Sequence, residues 1–155
     1  MDVNSIINQM PSPYNGENEI CHVFTLNFAL CAVGRASECH AGVMENPFDL
    51  KEKLLAKQEC QDGTKMNAGN IVTFWQGPSQ QEFLQHSMVI EDRNNWIGSN
   101  NLNSFKIWGA RRSIFMLSSG IILDEDNSKL TVDGQEYRLR FYDVNTFASC
   151  ASLRH

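Results

Sequence analysis

The pattern of apolar and polar residues changes along the chain from helical to strand-like. Positions 1–20 are polar and punctuated by proline and glycine, which predicts a loop or an extended arm. A dense apolar run then extends from Cys21 to Val33, long enough for a buried helix, and Gly34 is a natural end for it. The pattern therefore predicts a buried helix whose first residue is Cys21.

A second helix is predicted between Asn46 and Gly63. Asn46 is a favourable N-cap residue, Pro47 suits the first helical position, and Asp49 is favourable in the first turn because of the helix dipole. The apolar side of this helix is predicted to consist of Phe48, Leu50, Leu54 and Leu55.

The second half of the chain has the shorter apolar segments that are typical of strands. The first three predicted strands span 70–75, 87–91 and 95–98. Segment 114–123 is compatible with either a helix or a strand. Segments 129–132 and 135–143 flank Asp133-Gly134, a strong signal for a two-residue hairpin turn. Helices followed by an antiparallel sheet predict an α+β fold.

The composition fits one folded domain over residues 1–155, with 42% hydrophobic residues to form a core. Thirteen basic and 18 acidic side chains give a net charge of -5. We expect no nucleic-acid partner, because contacts to phosphates require clustered lysine and arginine. No apolar stretch approaches the length of a membrane-spanning helix, so no membrane span is expected either.

The five cysteines are odd in number and irregularly spaced, which is not typical of a disulfide framework. We therefore expect free thiols and folding in a reducing compartment. The N-terminus has no cationic start followed by an apolar segment, so no Sec signal peptide is expected. Export would then require a dedicated secretion machine, and the cysteines favour action in the cytosol of a target cell.

Cys21 and His86 are the candidate catalytic pair. A cysteine nucleophile needs a depressed pKa, a base and donors for the oxyanion. The N-terminus of a helix lowers the pKa of a thiol, and the backbone N–H of Cys21 offers one oxyanion donor. His86 opens an apolar strand and is predicted to project from the sheet edge as the base. Asn100 or Asn101, after the next strand, is predicted to fix the tautomer of His86.

Other residues are alternatives for parts of this site. A side-chain amide from Asn15 or Asn18 is a candidate second oxyanion donor, and Asp143 is an alternative partner for the histidine. Two Cys-His pairs, Cys21-His22 and Cys39-His40, raise the alternatives of a zinc site or of Cys39 as the nucleophile. Adjacent cysteine and histidine side chains usually point in different directions, and no long helix is predicted after Cys39, so we prefer Cys21.

The order of these segments resembles the papain-like and NlpC/P60-like cysteine hydrolases. In that superfamily the nucleophile begins the main helix, a Gly-Asp-Leu-Val-x-Phe strand follows, and the next strand starts with histidine. The matching segments, within residues 15–101, are Cys21-His-Val-Phe, Gly69-Asn-Ile-Val-Thr-Phe74 and His86-Ser-Met-Val-Ile90. The resemblance implies a papain-like core with the nucleophile-bearing helix packed on an antiparallel sheet. It also implies that no metal and no organic cofactor is needed.

The resemblance extends to short bacterial effectors and toxins with this core. It implies a thiol hydrolase that acts on amide C–N bonds, and we expect a deamidase or protease whose substrate is a host protein such as a Rho-family GTPase. The enzymatic alternative is a type VI secretion amidase that cuts peptidoglycan peptides, for which a cognate immunity protein is an expected partner. The non-enzymatic alternative is a binding or immunity module on the same scaffold.

Overall fold

A computed structural model of the chain describes residues 1–12, 14–15, 21–60, 65–78, 80–99, 113–116 and 121–152. The helices of this part are α1 (Val3–Gln9), α2 (Cys21–Ala32), α3 (Ala36–Ala41), α4 (Pro47–Leu55) and α5 (Val144–Ala151). One turn of 3₁₀-helix spans Gln58–Cys60. The strands are β1 (Ile71–Gln76), β2 (Phe83–Asp92), β3 (Asn95–Gly98), β4 (Ser113–Met116), β5 (Ile121–Asp124), β6 (Lys129–Val132) and β7 (Gln135–Tyr142).

The strands form one sheet in the order β4-β3-β2-β1-β7-β6-β5, and every described pairing is antiparallel. The central strand β1 alternates its side chains between two cores. Ile71 and Trp75 belong to the larger core on the helix-covered face, whereas Val72 and Phe74 belong to a smaller core on the other face. The sheet therefore separates two apolar environments.

Helix α2 lies at the centre of the larger core. Ten consecutive residues, from His22 to Cys31, are buried. The helix packs against β2 on the sheet and against α1, α3 and α5. A helix that is covered on every side needs apolar residues all round, and the dense apolar run of this segment meets that need. The sheet and its neighbouring helices thus fix α2, and with it the position of Cys21.

The smaller core is centred on Phe74. Its ring makes edge-on contacts with Trp96 of β3 and Tyr137 of β7, at centroid distances of 5.8 and 6.2 Å. Strands on both sides of β1 therefore direct aromatic rings toward the same central side chain. Trp96 and, on the other face of the sheet, Trp75 are both fully buried.

Several predictions from the sequence are confirmed. The α+β class and the antiparallel sheet are observed, and α2 begins at Cys21. Gly34, after the end of α2, has the left-handed φ of 77° that favours glycine. Asn46 caps α4 by accepting a hydrogen bond from the Asp49 N–H. The Asp133-Gly134 turn joins β6 to β7 with positive φ at both residues.

Other predictions of secondary structure are wrong. The segment predicted as an arm contains α1, because Asp2 caps this short helix and Val3 and Ile7 reach the core from successive turns. Helix α4 ends at Leu55 rather than near Gly63, and Phe48 is 77% exposed instead of packing inward. For segment 114–123, which was compatible with a helix or a strand, the strand alternative is confirmed at its described positions, which belong to β4 and β5 at the two opposite edges of the sheet.

The expectation of free thiols is also wrong. Disulfides join Cys31 to Cys39 and Cys60 to Cys150. Their Cα atoms are 4.8 and 5.9 Å apart, within the range that a disulfide requires. The first bond ties α2 to α3, and the second ties the 3₁₀ turn to α5. Irregular spacing concealed these pairs because tertiary folding brings their members together.

Candidate functional site

Cys21 is the first residue of α2 and the only cysteine outside a disulfide. Its side chain is half-buried. At a helix N-terminus the first backbone N–H groups have no partner within the helix, and the helix dipole favours negative charge there. The predicted place of Cys21 at the start of the helix is therefore observed.

Several donors act on the Cys21 thiol. The thiolate is favoured by hydrogen-bonding contacts with nearby donors, which are the backbone N–H groups of Ser87, His22 and Cys21 and the Ser87 hydroxyl. Burial acts in the opposite direction and is the larger effect, so that the pKa of the Cys21 thiol is raised to about 11. The thiol is therefore protonated at neutral pH.

A buried polar cluster lies beside this thiol, between α2 and β2. The Nδ1 atom of His22 is 2.8 Å from the Ser87 hydroxyl oxygen, and the Thr25 hydroxyl is also 2.8 Å from it. All three side chains are fully buried. Burial lowers the pKa of His22 to about 4, so its imidazole is neutral at pH 7. We call Ser87, His22 and Thr25 the Ser87 cluster.

His86 occupies a different environment from the predicted one. It is the fourth residue of β2 rather than the first, and it is buried instead of projecting from the sheet edge. Its ring lies beside Phe74, with 5.4 Å between the ring centroids, in the smaller core. The adjacent Ser87 faces α2, so the two side chains point to opposite faces of the sheet.

The surroundings of His86 keep its imidazole neutral. Burial, together with repulsion from a charge on His22, lowers the pKa of His86 to about 3. His86 is therefore neutral at pH 7, but a general base is most effective when its pKa lies near the operating pH, and a pKa of about 3 makes this imidazole a weak base. The described contacts also place Ser87, and not the ring of His86, on the helix face beside Cys21. The role of His86 as the base stays a prediction.

The predicted asparagines are only partly described. Asn15 is buried, and its side-chain oxygen has no hydrogen-bond partner in the part of the chain that is described. Asn18, Asn100 and Asn101 lie outside the described residues, so their predicted roles stay predictions. Asp143 caps α5 by accepting a hydrogen bond of 2.8 Å from the Thr146 N–H. A capping role thus accounts for Asp143 without a contact to histidine.

The two alternatives that involve Cys39 are excluded. Its sulfur is bonded to Cys31, so it is not free to act as a nucleophile or as a zinc ligand. Within the described ranges, no group of three or more histidine, cysteine, aspartate and glutamate side chains is arranged to hold a metal ion. Cys21 is therefore the only cysteine that is available as a nucleophile.

Comparison of the chain with protein-family models, with curated proteins and with solved structures finds no match. The resemblance to papain-like hydrolases therefore rests on the residues of the chain and stays a prediction. Among the described helices, none has the length and apolar character needed to cross a membrane.

Sequence reasoning overlooked the Ser87 cluster, although one signal was present. Ser87 is a polar residue inside an otherwise apolar strand segment, and a buried hydroxyl requires a hydrogen-bond partner. The sequence pointed to His22 only as part of the Cys21-His22 pair of the zinc alternative. The sequence did not indicate that His22 and Ser87 meet, because 65 positions separate them.

Proposed function

We propose that the chain is a cysteine-dependent hydrolase that breaks amide C–N bonds, with Cys21 as the nucleophile. The observation that carries this proposal is the position of Cys21 at the first turn of a buried helix, with backbone N–H groups around its sulfur. Such groups stabilise a thiolate, and they also stabilise the oxyanion that forms when a thiolate attacks a carbonyl.

The raised pKa of Cys21 determines how the reaction begins. The resting thiol is protonated, so the proton leaves as the sulfur–carbon bond forms, and a neutral imidazole accepts it. The same proton then goes to the leaving amine or ammonia as the C–N bond breaks. Water attacks the resulting thioester, which releases the acid and restores the thiol. We propose His86 as this base from the sequence alone, since its described contact is with Phe74, on the face of β2 opposite to Ser87.

The disulfides change the preferred substrate. Disulfides persist in oxidising compartments such as the bacterial periplasm and are rare in the cytosol. Four of the five cysteines are paired, which supports action outside a reducing cytosol. We therefore propose a peptidoglycan peptide as the substrate in preference to a host protein of the Rho-family GTPase type. A papain-like core and delivery into a rival cell's periplasm, with a cognate immunity protein, are parts of the same proposal.

The test compares the oxidised wild-type protein with its Cys21→Ala variant. Each is incubated with purified peptidoglycan and, separately, with a Rho-family GTPase, and the products are analysed by mass spectrometry. We expect new peptide termini in the peptidoglycan sample with wild type alone. Conversion of an amide to an acid in the GTPase would instead support the deamidase. If neither substrate changes, or if Cys21→Ala remains active, the hydrolase proposal fails and the binding-module alternative replaces it.

A further inference from the structure

Two arginines of β7, Arg138 and Arg140, share the single carboxylate of Glu82. Arg140 Nη2 donates to one carboxylate oxygen at 3.0 Å, and Nε and Nη2 of Arg138 lie 3.4 and 3.3 Å from the other. Arginine stays protonated in proteins, so this group carries one excess positive charge within a chain of net charge -5. Lys129, opposite Arg138 on β6, has its own acidic partner in Glu136. We call Arg138 and Arg140 the arginine pair.

Arg140 is held in place by a buried indole. Its guanidinium carbon lies over the ring of Trp75, 4.4 Å from the ring centroid, and Trp75 is fully buried. The Trp75 indole N–H donates to the Thr73 hydroxyl oxygen at 2.7 Å, and that hydroxyl donates to the Arg140 carbonyl oxygen at 3.0 Å. Contact with an aromatic ring uses the face of a guanidinium and leaves its N–H edge for planar acceptors.

The acceptors of the described residues do not match every donor of the arginine pair. Arg140 Nη1 is buried and has no hydrogen-bond partner among these residues. Arg138 Nη2 reaches the carbonyl oxygen of Gly77 at 2.5 Å, and 40% of the Arg138 side chain is exposed. A second carboxylate would supply both the missing acceptor and the missing negative charge, because its two oxygens fit the fork of a guanidinium. A ligand that arrives from solvent meets the exposed Arg138 first.

The arginine pair lies on the same face of the sheet as the proposed nucleophile. Ser87 contacts His22 of α2 at 2.8 Å and is paired with Thr73 of β1, which is paired in turn with Arg140. Directly paired residues of antiparallel strands have their side chains on one face. Two strand spacings, about 10 Å, separate the Cα atoms of Ser87 and Arg140. An extended peptide covers that distance with about three residues.

We propose that the arginine pair binds a carboxylate group of the substrate peptide, within about three residues of the amide bond that Cys21 attacks. This inference rests on the proposed function and adds the class of substrate, an anionic peptide. Glu82 stays in place as the counter-ion that orients both guanidinium groups. The contact is remote from the reacting atoms and is the same in the ground state and the transition state, so it changes KM and not kcat.

The first test compares two peptides on one protein. The protein is the Cys21→Ala variant, which does not consume the peptide, and binding is measured by isothermal titration calorimetry. One ligand is a peptidoglycan tetrapeptide with free carboxyl groups, and the other is the same peptide with these groups amidated. The free acid is expected to bind about tenfold more tightly, because hydrogen bonds to charged groups are the stronger ones. This comparison leaves the arginine pair intact and does not depend on the folding of an arginine variant.

The second test changes the arginine pair in the same Cys21→Ala background. Arg138→Met removes the exposed guanidinium and is expected to abolish most of the difference between the two peptides. Arg140→Lys keeps the charge but loses the planar fork, so weaker binding of the free acid alone is expected. Arg93→Met is the control, because it removes one exposed arginine that is paired with Glu125, and both affinities should stay the same. With Cys21 present, Arg138→Met should raise KM about tenfold and leave kcat unchanged.

Three results would overturn the proposal. The first is equal affinity of the Cys21→Ala protein for the free and the amidated peptide. The second is an equal loss in Arg138→Met and Arg93→Met, which would assign the effect to net charge. The third is tighter binding of inorganic phosphate than of the free-acid peptide, which would assign the site to a different anion. Failure of the proposed function shows differently, as hydrolysis that is absent in wild type or that survives Cys21→Ala, while the difference in affinity and its loss in Arg138→Met remain.

Discussion

Ser87 and His86 are consecutive residues of β2, and their side chains lie on opposite faces of the sheet. Ser87 contacts α2 beside Cys21, whereas His86 packs beside Phe74 in the smaller core. Successive side chains of a strand point to opposite faces of the sheet. The residue at position 87 therefore faces α2, which carries Cys21, and the residue at position 86 faces the smaller core. This alternation places the described contact of His86 on the face of the sheet opposite to α2.

The two buried histidines are expected to make the protein sensitive to acid. The pKa values of His22 and His86, about 4 and about 3, are below the value of about 6.5 for an unfolded chain. The stabilisation is complete above about pH 6.5 and is lost as the pH falls toward 4 and 3, because the unfolded chain binds protons that the folded chain does not. The free energy of unfolding should fall by about 4 kcal/mol between pH 7 and pH 5.

Urea denaturation at the two pH values measures this loss. His22→Leu and His86→Leu should each reduce the difference between the two pH values by roughly half, since each removes one of the two groups. The control is His40→Ala, which changes an exposed histidine and should leave the difference as it is. If the free energy of unfolding falls equally between pH 7 and pH 5 in wild type and in both leucine variants, the histidines do not cause the acid sensitivity.

The two disulfides are expected to contribute unequally to stability. Cys60 and Cys150 are 90 positions apart, whereas Cys31 and Cys39 are 8 apart. A longer closed loop restricts the unfolded chain more, and chain entropy predicts about 4.6 kcal/mol for the long loop and about 2.5 kcal/mol for the short one. Urea denaturation of the two double alanine variants measures the difference. The variant without the Cys31–Cys39 disulfide is the matched control, because each variant removes two buried sulfur atoms. The prediction is contradicted if this variant loses more free energy of unfolding than the variant without the Cys60–Cys150 disulfide.

Local signals predicted the parts of the fold that local interactions determine. The Asn46 cap, the end of α2 at Gly34 and the Asp133-Gly134 turn each follow from a few neighbouring residues. The end of α4 and the exposure of Phe48 were missed because tertiary packing, and not the helical pattern, decides which apolar residues are covered.

In the candidate site, too, the features that depend on neighbouring residues were predictable, and those that depend on tertiary packing were not. The position of Cys21 at the start of α2 was predictable, since the apolar run begins there. The contact of Ser87 with His22 was not, because it depends on the register of β2 and on the way α2 lies across the sheet. The disulfide between Cys60 and Cys150 likewise depends on where the 3₁₀ turn meets α5, which no local pattern reveals.

Asp143 is expected to act through its helix cap alone. Asp143→Ala removes the acceptor for the Thr146 N–H and should lower the free energy of unfolding by about 1 kcal/mol. Asp143→Asn keeps a good cap and should cost only a few tenths of that value, about 0.3 kcal/mol. Both variants should keep the wild-type alkylation profile of Cys21, as measured with iodoacetamide. A shifted profile in Asp143→Asn would revive the alternative in which this carboxylate supports the catalytic histidine.

The ion pair between Glu45 and Lys53 is expected to matter more than its exposed counterparts. Lys53 Nζ lies 2.8 Å from a carboxylate oxygen of Glu45, whose side chain is only 2% exposed. The other carboxylate oxygen accepts a hydrogen bond of 3.0 Å from the Asn46 N–H, the residue that caps α4. A lost partner would leave a buried charge beside the start of this helix, and such a loss is strongly destabilising.

Lys53→Met should therefore lower the free energy of unfolding by about 3 kcal/mol in urea denaturation. The double variant Glu45→Gln/Lys53→Met should recover part of this loss, because the neutral amide no longer requires a charged partner and its oxygen still accepts from the Asn46 N–H. Arg93→Met is the matched control: its pair with Glu125 is exposed, with 65% of the arginine side chain accessible, so a change of about 0.5 kcal/mol is expected. If Lys53→Met and Arg93→Met cost the same, burial does not strengthen the Glu45 pair.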